Sequence, residues 1–201
     1  MGDMMPKILT AIGFIIFAFA APAFGADDAT HAKISTSEGD IIIELVPSKA
    51  PVTVKNFLDY ATSGHFDRTI FHRIVPGFVI QGGGYSRYFN ERATRDPIAY
   101  EGANGLNNVR GTISMARTDD PNSAAAQWFI NLTDNPKLDH RVNDLGIIYG
   151  YTVFGRVVSG MEIVDAIGSV DTGAGGPFDS EVPLTPIIIK RVDAIEWSPA
   201  N

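Results

Sequence analysis

The sequence predicts a mainly β domain in which antiparallel strands form a closed barrel or a sandwich. Many short strand-like runs are separated by turn residues, and only two short segments have helical spacing. With 45 % hydrophobic and 19 % charged residues, the composition is that of a globular protein. The 201 residues are enough for one domain and a short appendage. We therefore expect residues 26–201 to form a single domain.

The first 25 residues have the layout of a secretory signal peptide. Lys7 gives a basic start, residues 8–21 form an apolar run, and Ala23-Phe24-Gly25 supplies the small residues of a cleavage site. An uncleaved membrane anchor is the alternative, but the run is shorter than the roughly 20 residues that a spanning helix needs. We expect cleavage after Gly25, a periplasmic or secreted protein, and no membrane attachment afterwards.

Charge and cysteine content exclude several classes of function. A formal net charge of −7 argues against a nucleic-acid groove, which needs a basic face. The absence of cysteine excludes disulfides, zinc–thiolate sites and a cysteine nucleophile. The four histidines are not spaced as metal ligands, so we expect neither a metal nor a cofactor.

The strands and helices are predicted from residue periodicity and turn residues. Pro51 opens a helix that Gly64 ends, and residues 161–167 form a second, shorter helix. Four glycines and three prolines make residues 168–186 a long loop. The predicted strands are 33–36, 40–46, 69–75, 78–82, 111–117, 127–132, 151–158 and 186–195.

Two strand-like runs on either side of Pro76-Gly77 predict a β-hairpin. The expected pairs are Val75–Val79, Ile74–Ile80 and Arg73–Gln81. Because side chains alternate between the two faces of a strand, one face is a core face and the other is mixed. The core face carries His72, Ile74, Ile80 and Gly82, whereas the mixed face carries Arg73, Val75, Val79 and Gln81. We expect Gln81 to hydrogen-bond the arginine opposite it and orient the guanidinium.

Residues 127–132 repeat this alternation. Trp128, Ile130 and Leu132 share a face that suits a core. The opposite face carries Gln127, Phe129 and Asn131, which is an aromatic ring between amides.

Four motifs in this order resemble the cyclophilins. They are FHRIVPGFVIQGG at 71–83, GTISMAR at 111–117, QWFI at 127–130 and VFGRV at 153–157. The resemblance covers roughly residues 32–196. Asn104-Gly105-Leu106 and Leu138-Asp139-His140 are similar to bacterial members, which together with the signal peptide indicates the periplasm.

The resemblance implies a closed eight-stranded antiparallel barrel capped by two α-helices. It also implies a monomeric peptidyl-prolyl cis-trans isomerase that acts on proline-containing polypeptides, with its active site on the outer barrel wall. Arg73 is then the catalytic arginine. The substrate groove is formed by Phe78, Val79, Gln81, Ala116, Arg117, Gln127, Phe129, Leu138 and Tyr151. A peptide-binding chaperone module that uses the same groove without catalysis is the alternative.

Three departures from the family pattern affect the groove. Val79 stands where many relatives have methionine, and Lys137 stands where many eukaryotic relatives have a tryptophan that contacts cyclosporin. We therefore expect weak cyclosporin binding. Residues 141–150 form a longer segment than the one in compact relatives, and this segment can reshape the groove rim next to Tyr151.

Overall fold

Eight antiparallel strands close into a barrel in the computed structural model, which describes residues 30–198. The barrel strands are β1 (His31–Thr36), β2 (Asp40–Leu45), β3 (Thr69–Val75), β4 (Val79–Ser86), β5 (Thr112–Met115), β6 (Trp128–Asn131), β9 (Val153–Ser159) and β12 (Ile188–Ile195). Their order around the barrel is β1-β12-β3-β4-β6-β5-β9-β2. The closed barrel with two helices confirms the fold expected from the sequence, and full closure leaves the barrel itself without an unpaired edge strand.

Two helices pack on the barrel, α1 (Pro51–Thr62) and α2 (Met161–Gly168). Proline at the first helical position of α1 has the backbone angle a helix needs. The Glu101 carboxylate accepts hydrogen bonds from the N–H groups of Val52 and Thr53, which satisfies two donors at the helix start. Neither helix among residues 30–198 is long and apolar enough to span a membrane.

Large aromatic side chains fill the core between α1 and the sheet. The ring centre of Phe57 in α1 lies 5.2 Å from the ring centre of Phe154 and 6.3 Å from that of Trp128. Phe66 and Phe71 meet the Trp128 ring edge-on, an arrangement that aromatic quadrupoles favour. All five rings are fully buried. This rigid core fixes the strands whose outer faces carry the site.

The β3–β4 hairpin has the predicted register. Arg73 pairs with Gln81, Ile74 with Ile80 and Val75 with Val79. Gly77 has a φ of 71°, which glycine adopts without strain, and the Phe78 N–H closes the turn on the Val75 carbonyl at 2.9 Å.

His72 is not on the core face, contrary to the prediction. Phe71 pairs with Gly82 and Arg73 pairs with Gln81, so His72 is the extra residue of a β-bulge. The bulge breaks the two-residue alternation, and Phe71 and Ile74 take the core positions. His72 is still buried, because the rings of Tyr85 and Phe178 cover it outside the barrel.

Residues 168–186 are not the long loop that was predicted. They contain a β-hairpin, β10 (Thr172–Gly175) and β11 (Phe178–Pro183). Another hairpin, β7 (Arg141–Asn143) and β8 (Gly146–Ile148), lies in the segment 141–150 that is longer than in compact relatives. The signal peptide proposed for residues 1–25 lies outside the described residues.

Candidate active site

A cavity of about 100 Å³ opens on the outer wall of the barrel. Nine of the ten site residues expected from the sequence line it. They are Arg73, Phe78, Val79, Gln81, Ala116, Arg117, Phe129, Leu138 and Tyr151. The tenth, Gln127, is not part of the lining but accepts a hydrogen bond of 3.0 Å from Gln81 Nε2.

Strand register brings the central lining residues into a row. Arg73 on β3 pairs with Gln81 on β4, and Gln81 pairs in turn with Phe129 on β6. Because paired residues in adjacent antiparallel strands point to the same face, the three side chains lie side by side. The row runs from a cation through an amide to an aromatic ring, so one end of the cavity is charged and the other is apolar.

The guanidinium of Arg73 is held by a residue that the sequence did not indicate. Its Nε donates to Oε2 of Glu181 on β11 at 2.7 Å. Within residues 30–198, the two Nη groups of Arg73 make no hydrogen bond. Gln81, which was expected to orient the arginine, bonds Gln127 instead. No local signal pointed to Glu181, because it lies 108 residues from Arg73 in the chain.

The apolar end of the cavity is built from well-packed side chains. Val79 and Phe129 are buried, and Phe129 meets the ring of Tyr151 edge-on at 5.4 Å. Phe78 extends from the β3–β4 turn, and Leu138 comes from a 3₁₀ turn that spans Pro136–Leu138. Such a hollow suits a small apolar ring such as that of proline.

A buried network of amides supports both ends of this apolar wall. Asn135 Nδ2 donates to the Phe78 carbonyl at 3.1 Å, and Asn108 Nδ2 donates to the Leu138 carbonyl at 3.0 Å. Asn131, which is fully buried, accepts from Asn135 at 2.7 Å. Asn131 therefore lies behind the wall rather than in the groove.

Arg117 closes the opposite side of the cavity with its side chain engaged. Its guanidinium lies 4.8 Å from the centre of the Tyr151 ring, and its Nε donates to the Gly150 carbonyl at 3.1 Å. Within the described part of the chain, its backbone N–H and C=O make no hydrogen bond. An extended peptide in the cavity can therefore pair with this backbone.

His72 lies behind Arg73, under the β10–β11 hairpin. Burial lowers its pKa to about 4, and the neighbouring Arg73 charge acts in the same direction. Its Nδ1 has no hydrogen-bond partner among residues 30–198. The imidazole is therefore neutral near pH 7 and adds no second positive charge beside the guanidinium. Among residues 30–198, no three His, Cys, Asp or Glu side chains are grouped to hold a metal ion.

Comparison with known proteins identifies the family. Residues 31–194 match the family described as cyclophilin type peptidyl-prolyl cis-trans isomerase/CLD. Peptidyl-prolyl cis-trans isomerase A of Dickeya dadantii is 47 % identical over 194 residues, covering 96 % of this chain and 100 % of the relative. Peptidyl-prolyl cis-trans isomerase B of Escherichia coli is 48 % identical over 161 residues, covering 80 % of this chain and 97 % of the relative.

A solved structure shares both the fold and part of the sequence. The cyclophilin type peptidyl-prolyl cis-trans isomerase of Cryptosporidium parvum, crystallised in the presence of the dipeptide Ala-Pro, has a TM-score of 0.65 and 30 % identity. The similarity covers 83 % of this chain and 99 % of that one. The chain therefore belongs to the cyclophilin type peptidyl-prolyl cis-trans isomerases, and it is an enzyme of that family rather than a peptide-binding module without activity.

Proposed function

We propose that this isomerase acts on X-Pro bonds of exported polypeptides, with Arg73 as the catalytic residue. The observation that carries the proposal is the cavity itself, in which a guanidinium whose Nη donors bond no group in the described part of the chain lies beside an apolar hollow. The hollow receives the proline ring, and the arginine contacts the peptide bond that precedes it.

The reaction requires differential binding and no covalent step. Resonance in the peptide bond opposes rotation with a barrier of roughly 18–20 kcal/mol. In the twisted transition state this resonance is lost, and the prolyl nitrogen becomes pyramidal with a free lone pair. A donor directed at that nitrogen binds the twisted form more tightly than either planar form, which lowers the barrier.

An arginine suits this task better than a lysine. Its planar guanidinium stays protonated and presents several donors in a fixed geometry, whereas a lysine ammonium is a mobile point charge. The apolar wall formed by Phe78, Val79, Phe129 and Leu138 excludes water around the bound proline. Exclusion of water strengthens the interaction between the guanidinium and the prolyl nitrogen.

The location in the periplasm rests on the N-terminal segment. Residues 1–25 have the order of a signal peptide, with a basic residue, an apolar run and small residues at the cleavage site. Similarity to the Dickeya dadantii relative covers 96 % of the chain and so reaches into this segment. We propose that the mature protein begins at Ala26 and acts as a monomer.

Two measurements test these proposals separately. In a protease-coupled assay on a short Ala-Pro peptide, Arg73→Ala is expected to lower kcat/KM by about 100-fold or more, since it removes a preorganised donor. Equal rates for the two proteins would remove Arg73 from catalysis. Fractionation of cells and N-terminal sequencing test export, and an uncleaved protein in the cytoplasm would contradict it.

A further inference from the structure

The β7–β8 hairpin exposes five large apolar side chains to solvent. Leu145 is 96 % exposed and Val142 is 71 % exposed, and three neighbours share this character. Those neighbours are Ile147, Ile148 and Tyr149. Single exposed apolar residues are ordinary, but a cluster of this kind marks an interaction surface. We refer to residues 141–149 as the apolar hairpin.

The apolar hairpin arises from the wall of the cavity. Leu138 and Tyr151 both line the cavity, and the Tyr151 N–H donates to the Leu138 carbonyl at 2.8 Å. The hairpin is therefore part of the segment that connects these two lining residues. Arg117, a third lining residue, donates to the carbonyls of Tyr149 and Gly150 at its base. These contacts fix the base of the hairpin to the groove rim.

Strand pairing decides which apolar side chains lie together. Val142 pairs with Ile147, so these two side chains share one face of the hairpin. Leu145 lies in the turn at the tip, where its N–H donates to Asn143 Oδ1 at 2.9 Å. The hairpin thus presents an apolar surface made by Val142, Leu145 and Ile147, called the ledge, which extends outward from the groove.

We propose that the apolar hairpin binds hydrophobic side chains that lie several residues from the proline in an unfolded polypeptide. The inference rests on the proposed function, because it requires the substrate to occupy the cavity. An extended chain advances about 3.3 Å per residue, so a polypeptide held in the cavity passes over the groove rim within a few residues. At that rim it meets the ledge made by Val142, Leu145 and Ile147.

The charge and size of the hairpin favour an unfolded polypeptide over an anionic membrane surface or a second copy of the chain. The hairpin carries one cation and one anion, Arg141 and Asp144, and the whole chain has a net charge of −7. An anionic membrane surface attracts clusters of basic residues, which this segment lacks. A stable dimer buries roughly 1,200–2,000 Å² in total, more than a nine-residue hairpin can supply by itself.

Paired peptide substrates test the proposal. Two peptides of about twelve extended residues share a central Ala-Pro, and the outer positions are leucine and phenylalanine in one and serine in the other. For the wild-type enzyme, kcat/KM is expected to be about five- to tenfold higher on the apolar peptide, through a lower KM. The triple variant Val142→Ser/Leu145→Ser/Ile147→Ser is expected to bring this ratio close to one.

A matched control is Leu184→Ser. This residue is 66 % exposed and lies after β11, outside the lining of the cavity, so its removal is expected to keep the wild-type ratio. Circular dichroism and thermal unfolding report whether the triple variant folds, and Leu145→Ser alone replaces it if it does not. The wild-type turnover of an Ala-Pro tetrapeptide, measured in parallel, tests the proposed function independently of the hairpin.

A ratio that is the same in the wild type and the triple variant would overturn the proposal. Sedimentation velocity and flotation with vesicles of phosphatidylethanolamine and phosphatidylglycerol distinguish the other occupants. Loss of a dimer or of vesicle binding in the triple variant, without a change in the ratio, would assign the ledge to a second copy or to a membrane instead.

Discussion

Arg73 and Glu181 form an ion pair in which Nε donates to Oε2 at 2.7 Å, and Arg73 lines the proposed substrate groove whereas Glu181 lies outside its lining. Glu181 has a φ of 67°, in the left-handed region that glutamate rarely adopts. The backbone of β11 is therefore strained at the residue that meets the arginine. Such strain occurs where a surrounding structure holds a residue in place, often at functional sites.

Removal of the Glu181 carboxylate is expected to lower catalysis more than binding. With Nε released, the guanidinium samples more orientations, so Glu181→Ala is expected to lower kcat about tenfold with little change in KM. Glu181→Gln keeps an acceptor for Nε and is expected to recover most of this loss. Separate determination of kcat and KM on an Ala-Pro peptide checks both. A loss confined to KM would show that Glu181 contributes to substrate binding instead.

Glu181→Gly separates activity from stability. Glycine relieves a left-handed strain of about 1–2 kcal/mol. The lost ion pair is more than a third exposed on both sides, so it contributes only about 0–1 kcal/mol. The free energy of unfolding in urea is therefore expected to stay the same or rise, while kcat falls. A clear drop in stability would show that the ion pair is mainly structural.

His72 makes stability depend on pH. Burial lowers its folded pKa from 6.5 to about 4, whereas the unfolded chain keeps the ordinary value. The unfolded state then binds a proton first, so the stabilising contribution is complete above pH 6.5 and is lost as pH falls towards 4. The shift corresponds to about 3 kcal/mol at most.

His72→Phe is the variant that isolates this effect. Phenylalanine keeps the ring contacts with Tyr85 and Phe178 and removes the titrating group. Urea unfolding between pH 7 and pH 4 is expected to show a smaller loss of stability in the variant, with a remainder from His65, whose pKa burial also lowers. Parallel pH profiles for the two proteins would contradict the assignment.

Asn131 is expected to be a strong determinant of stability. Its amide donates to Thr112 Oγ1 at 2.9 Å and accepts from Asn135 Nδ2, so Asn131→Ala removes one buried hydrogen bond from each partner. Because both partners keep a second bond to a backbone carbonyl, we expect the free energy of unfolding to fall by about 1–3 kcal/mol. The exposed Asn107→Ala, whose side chain makes no hydrogen bond among residues 30–198, is the matched control. A loss below about 1 kcal/mol would show that the network rearranges or admits water.

Cyclosporin is expected to inhibit this enzyme weakly. Lys137 is exposed beside Leu138 at the groove, where many eukaryotic relatives have a tryptophan. A lysine head group stays hydrated and offers an apolar ligand little contact area. Lys137→Trp is expected to strengthen inhibition about tenfold, since it adds a large apolar surface. Sub-micromolar inhibition of the wild-type protein would contradict the expectation.

Local patterns in the sequence predicted the parts of the fold that depend on neighbours in the chain. Strand β3 has the predicted bounds, and the register around Gly77 follows from its turn. The face of His72 was predicted wrongly, because strict alternation of side chains between two faces takes no account of the extra residue in a β-bulge. The β10–β11 hairpin was missed because its glycines and prolines are also typical of loops.

In the candidate site too, the residues within local motifs could be predicted, whereas a contact between distant parts of the chain could not. Nine expected lining residues meet at one cavity because the motifs that carry them keep their order along adjacent strands. The partner of Arg73 could not be predicted, since Glu181 reaches it through tertiary packing of β11 against β3. The apolar character of residues 141–149 was visible in the sequence, but its exposure was not, because apolar runs are usually buried.

Exchange spectroscopy on an Ala-Pro peptide tests the central claim most directly, because it reports the affinity for each isomer and the rate of interconversion on the enzyme. In Arg73→Ala, we expect the interconversion rate of bound peptide to fall about 100-fold, while both affinities change less than about threefold. A variant that binds both isomers far more weakly but interconverts bound peptide at the wild-type rate would contradict transition-state stabilisation by Arg73.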